Sequence, residues 1–189
     1  EDLADAAVVL PEGHPLNATI GATLAATLMM RGHLEQGRRS ASRALELARR
    51  VGDRHSEADT LITLGTTVVG EDHKTNFAQF AEGIEIAREH GHPQVEIRGL
   101  INLAAGLGEH CRFQEAAKMY AQGLRRCGGL GLAHSQGAFF SYGLASILSE
   151  QGELDRAEET LARAVGNPLV DARVQTLIMQ ISLHRWDLD

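Results

Sequence analysis

Aromatic residues are scarce in this sequence: Phe, Trp and Tyr make up 4% of its 189 residues. Sheets draw on aromatic and β-branched side chains, so the scarcity argues for thin helices packed through Ala, Leu and Gly. Cysteine is sparser still. Cys111 and Cys127 make neither a disulfide framework nor a metal-ligand set. No window is long and apolar enough to span a bilayer. Positive charge is in deficit, with a formal net charge of −7, which argues against the basic face that nucleic-acid binding requires. The opening Glu1-Asp2-Leu3-Ala4-Asp5 is acidic and lacks Met, unlike a signal peptide or a natural start. These absences lead us to expect a soluble, reduced, cytoplasmic piece of a longer protein, without membrane or direct nucleic-acid contact.

What is present is globular in composition, 43% apolar with 23% charged residues, and it repeats. Leu24-Ala25 and Leu28 lead to Gly32, Leu34, Gly37, Ala41 and Ala44-Leu45. Leu64-Gly65 and Val68 lead to Phe77, Phe80 and Gly83-Ile84. Leu103-Ala104 and Leu107 lead to Phe113, Ala116, Tyr120 and Gly123-Leu124. Leu144-Ala145 and Leu148 lead to Gly152, Leu154, Ala157, Leu161 and Ala164-Val165. The small residues Ala25, Gly65, Ala104 and Ala145 thus return with a period of about 40.

Each copy reads as two amphipathic helices, with apolar residues spaced by three and four, joined by a short turn into an antiparallel pair. The recurring small residue belongs where the first helix approaches the second closely. Neither helix buries its stripe alone, so neighbours must stack. Gly52-Asp53, Gly91-His92-Pro93 and Asn167-Pro168 punctuate the copies. The pattern predicts helices over 17–31 and 34–51, 55–69 and 74–90, 94–109 and 113–127, 133–151 and 154–165, and 169–186. The expected fold is all-α, a solenoid of antiparallel helix pairs forming a single domain over 1–189. Its four repeats are 17–52, 53–91, 92–131 and 132–167, and the turn from Gly70 to Thr75 is one residue short. Residues 1–16, with Leu3, Ala6, Ala7 and Leu10, read as the tail of a preceding repeat, and 168–189 as the first helix of a fifth. No polar caps are visible, so such ends could pair into a homodimer.

At these residues the chain resembles tetratricopeptide repeats, most closely in the third and fourth copies. The second departs, with Asn76 where a turn-side Ala belongs. The resemblance implies a right-handed superhelix. Glu46-Leu47-Ala48-Arg49-Arg50-Val51-Gly52-Asp53, Ile101-Asn102-Leu103-Ala104 and Gly137-Ala138-Phe139 before Leu144-Ala145 are similar to the repeat region of bacterial LuxR-type large ATP-binding transcription regulators. The Arg- and Ala-rich wording is similar to that of actinobacterial members. In that family a nucleotide-binding module precedes a ligand- or partner-sensing helical region, and a DNA-binding helix-turn-helix follows. The resemblance implies a non-catalytic sensing role here, with ATP belonging to the parent protein and no cofactor in this segment. Similar repeats occur in signalling enzymes and adaptors, where they are general interaction scaffolds. The nearest approach to a phosphate-binding loop runs from Gly65 to Gly70, but Glu71 stands where Lys is needed.

Candidate catalytic and metal residues have plainer readings. His90 and His92 flank Gly91 but lack a third ligand at a fitting spacing, and we expect no metal site. His110-Cys111 lies at a helix turn without a triad-like partner, and we expect no catalytic residue. Arg38-Arg39, Arg49-Arg50 and Arg125-Arg126 read as solvated helix faces. By resemblance to the repeat class, the binding surface is the concave face of the first helices. It would be lined by Thr19, Ala22, Ala26, Met29, Asp59, Ile62, Thr66, Arg98, Ile101, Asn102, Ala105, Phe139, Tyr142, Ser146 and Ser149. Arg98 is expected to meet an anion, and Phe139 and Tyr142 an apolar segment of a protein, peptide or small effector. Met29, Ile62 and Ile101 read equally well as packing between repeats.

Overall fold

The computed structural model describes residue 14 and residues 16–66, 73–168 and 170–186. The expected tail over 1–13, the short turn up to residue 72 and the last residues of the chain lie outside them. Among the described residues the fold is all-α, with nine helices and no strand. They are α1 (Leu16–Met30), α2 (Leu34–Val51), α3 (Arg54–Gly65), α4 (His73–Glu89), α5 (Pro93–Glu109), α6 (Phe113–Gly129), α7 (Gln136–Glu150), α8 (Leu154–Leu161) and α9 (Asp171–Trp186). No helix among them is long and apolar enough to cross a membrane. The chain divides into two compact units, Glu1–Asn102 and Leu103–Asp189.

In the first unit, α1 and α2 meet along a seam of small residues. Ala18, Ala22 and Ala25 on one side face a stripe of Gly37, Ala41, Ala44 and Ala48 on the other, and all are buried. A β-carbon on Gly21 would sit 3.0 Å from Ala44 Cβ, and one on Gly37 would sit 2.6 Å from Met29 Cγ. As the position climbs along α1 its partner falls along α2, so the pair is antiparallel. The close approach is what the small residues permit, since a larger side chain would force the backbones apart.

The helix α3 is buried on nearly every side, from Ser56 to Gly65. It packs on α2, on α4 and on α1. The Asp53 carboxylate caps its first turn, accepting the Ser56 backbone N–H at 3.0 Å. Burial works against this carboxylate, yet the Ser56 bonds and nearby His55 hold it below the usual Asp range. Against α4, the face of Gly65 lies on the Phe80 ring, where a β-carbon would be 2.9 Å away. Gly99 of α5 is equally crowded, by Ile84 of α4 and Ile62 of α3. α3 ends at Gly65 rather than at 69, and 67–69 lie outside the described residues.

In the second unit, Tyr120 and Phe140 bind α6 to α7 reciprocally. A β-carbon on Gly123 would lie 1.9 Å from Phe140 Cε1, and one on Gly143 would lie 2.2 Å from Tyr120 Cε1. Each ring therefore occupies the space above the other helix's glycine, and the two rings meet edge-on at 6.4 Å. Beyond them, Ala145, Leu148, Ala157, Leu161, Val174 and Ile181 form a continuous core of α7, α8 and α9. Two predicted helices are shorter than the periodicity suggests. α7 starts at Gln136, not 133, because the His134 and Ser135 carbonyls face the Asn167 side-chain amide at 2.6 and 3.2 Å. α8 stops at Leu161, not 165, in a turn that ends on Gly166 with φ +80°.

Candidate functional site

Equivalent contacts recur along the chain at nearly constant offset. Thr19 of α1 shares a hydrogen bond with Ser56 of α3 at 3.0 Å, 37 residues on. Arg98 of α5 donates to Asp59 Oδ1 of α3 at 2.7 Å, a separation of 39. In the second unit Gly108 of α5 faces Ile147 of α7, with 3.1 Å from a β-carbon to Cδ1, again 39 apart. First helices therefore lie side by side in each unit, and their shared face is where the expected binding residues were placed.

The structure divides those residues. Ala22, Ile62 and Ser149 are buried, at 2%, 0% and 8% exposure. They cannot line an open surface, and each is a correction. Ile62 is caught between α4 and Gly99 because α3 has contacts all round. Met29 packs on the Ala25, Ala41 and Leu64 cluster, so its role is packing. Arg98 is not free to receive an anion. Its Nη2 is shared among the Asp59 carbonyl at 2.6 Å, Asp59 Oδ1 and Thr63 Oγ1 at 3.2 Å. Phe139 and Tyr142 both lie against the α7–α9 core, and Tyr142 also contributes to the wall of a cleft. Thr19, Thr66 and Ala105 are exposed, while Ala26, Ile101 and Asn102 are half-buried.

Three expected residues do come together. Ala105, Tyr142 and Ser146 line a cleft of about 410 Å³ in the second unit, with Glu109, Tyr120 and Glu150. α5 supplies Ala105 and Glu109, α6 supplies Tyr120, and α7 supplies the rest. Tyr120 was legible only as a repeat-packing aromatic, and its ring does pack. Its hydroxyl end is different: Cζ lies 2.4 Å from the position of a Gly143 β-carbon, in the cleft wall. Burial, reinforced by Tyr142 and Glu109, pushes the Tyr120 phenol up to about 12. It is therefore a neutral hydrogen-bonding group at any physiological pH. Glu109 and Glu150 are exposed at the rim, and the lining holds no Lys, Arg or His.

In the first unit a wider groove of about 630 Å³ runs along α1 and α2. It combines Leu24, Leu28 and Leu47 with Arg39, Arg43 and Arg50, and holds none of the expected site residues. The histidines of the metal question have other neighbours. His92 meets His55 edge-on at 5.0 Å, and burial together with His55 and His90 pushes its pKa down. Among the described residues no three His, Cys, Asp or Glu side chains converge on a metal-sized site. Cys111 is exposed and His110 Nδ1 lies 2.8 Å from the Gly106 carbonyl within its own helix turn.

No protein-family model matches the chain, and no curated protein matches it.

Proposed function

We propose that the chain is a right-handed superhelical solenoid of antiparallel, tetratricopeptide-like helix pairs. On this reading it binds and senses a protein, peptide or small effector without catalysing a reaction. The observation that carries the reading is that three contacts between first helices each join residues 37 to 39 apart. A fold in which each pair rests on the next offers clefts between successive first helices, and a ligand there touches two pairs at once. Such a ligand biases the angle between the pairs, which is how a helical array converts binding into a signal.

The wording of the repeats supports placing this module in a LuxR-type ATP-dependent transcription regulator, where it would sense an effector between a nucleotide module and a DNA-binding end. In that setting ATP and DNA belong to the neighbouring domains. The test is to sequence the coding region on both sides of this segment. A Gly-x4-Gly-Lys-Ser/Thr motif upstream and a helix-turn-helix downstream are expected. Kinase or cyclase sequences there would overturn the regulator and leave an interaction scaffold in a signalling enzyme.

A further inference from the structure

The cleft between α5, α6 and α7 carries a polar group that the protein itself does not use. Tyr120 is 8% exposed, and its hydroxyl makes no hydrogen bond among the described residues. The ring is enclosed, but the oxygen is not sealed in, and it opens onto the cleft where a guest can reach it. The phenol ends in the cleft wall, beside Tyr142 and Ser146, which also lack hydrogen bonds among the described residues. Glu109 and Glu150 stand at the same opening and form no ion pair among the described residues. Arg112, three residues after Glu109, is held in a bidentate pair by Glu115, at 2.7 Å for each bond.

Two exposed carboxylates without an ion pair among the described residues, the unpartnered Tyr120 hydroxyl and a space of about 410 Å³ define one kind of guest. A cation at this opening is attracted by both carboxylates, and its N–H groups can be accepted by their oxygens and by the phenol. An anion would meet two like charges, and a purely apolar guest would leave the Tyr120 hydroxyl unsatisfied. We propose that this cleft binds an alkylammonium or alkylguanidinium group, with the cation between Glu109 and Glu150. The Tyr120 and Tyr142 rings would pack on its alkyl stem, and the Tyr120 oxygen would accept one N–H. This rests on reading the cleft as the binding site.

The chain supplies its own reporter, because Tyr120 and Tyr142 are its two tyrosines. Tyrosine labelled with 13C at Cζ alone therefore gives two signals, both from the cleft. The full chain would be titrated with n-butylammonium, n-butylguanidinium and n-butanol, then with end-blocked lysine and arginine peptides. Saturable shifts of both rings with the cations are expected, at roughly millimolar affinity for so small a probe. The Glu109→Gln/Glu150→Gln double variant should keep two dispersed ring signals and bind the cations at least about tenfold more weakly. Equal cation affinity in that variant would overturn the proposal. Butanol shifting the rings as strongly as the cations would overturn the cation assignment and leave the cleft as a binding site, whereas silence from every probe would overturn both. Tighter binding of the blocked peptides than of the free amines would assign the cation to a polypeptide partner. The reverse order would assign it to a small effector, and either order supports the shared chemistry.

Discussion

The two compact units hold successive helices together with different chemistry. In the first, a buried carboxylate at the start of one helix meets an arginine near the end of the helix before it. Glu57, 3% exposed, accepts from Arg49 Nε at 3.0 Å and from Arg54 Nη1 at 2.6 Å. Glu96, 2% exposed, accepts from Arg88 Nε at 3.1 Å. Arg49 also reaches Glu82 at 2.5 Å, so the first latch extends onto α4. In the second unit the equivalent places are Cys127 and Ser135, and no such latch can form. There, rings seated on glycines and the Asn167 amide on two loop carbonyls join the helices. The contrast is local to these joints, since Phe80 also sits on Gly65 in the first unit and Arg185 pairs with Asp155 and Glu158 between α8 and α9 in the second. Charge latches keep one carboxylate dry and the arginines half in water, whereas seated rings demand an absent side chain.

That contrast can be broken most severely at Gly123. Gly123→Ala places a methyl inside the Phe140 ring and should cost about 3 kcal/mol or more, read as a fall in the midpoint of urea unfolding. The penalty should shrink in a Phe140→Leu background, since the clash is with the ring. An unchanged midpoint in Gly123→Ala would mean that α6 and α7 do not meet as described. The charge latch is next. Arg49→Ala/Arg54→Ala leaves the Glu57 carboxylate buried without its partners and should cost roughly 2 kcal/mol. The single Glu57→Gln should cost less, because both arginines can turn to water; a larger loss from Glu57→Gln than from the double arginine variant would refute the latch. The smallest effect is a gain. Cys111 has φ +56°, while the other described residues at positive φ are all glycine. Cys111→Gly should stabilise the α5–α6 turn by about 1 kcal/mol, and a fall in the unfolding midpoint would show that the thiol serves packing there.

Much of the helix content was legible because the small residues carry the geometry. Ala25, Ala104 and Ala145 are fully buried and Gly65 lies under the Phe80 ring, as a period of about 40 requires. Helix ends were less legible where a distant side chain decides them, as Asn167 does for the start of α7. The site was read poorly for a similar reason. Periodicity marks one stripe per helix, but α3 is packed on several faces, so Ile62 and the neighbouring Thr60 and Thr63 are enclosed despite lying off the main stripe. Arg98 looked free because its partner, Asp59, sits 39 residues earlier. Applying the repeat spacing to charged residues as well as apolar ones would have paired them. Glu109, Tyr120 and Glu150 meet only through the packing of three helices, and no local pattern announces that.

The two charge latches also bear on how such a chain can lengthen and shorten. Arg49–Glu57 and Arg88–Glu96 have the same internal spacing and are displaced by 39 residues. Excising residues 53–91 would join Gly52 to His92 and set Arg49 eight positions before Glu96, re-forming a latch from halves of two. A stretch of chain whose ends carry interchangeable fastenings can be lost or copied in one genetic event with the latch intact, although Arg98 would exchange Asp59 for Ile20.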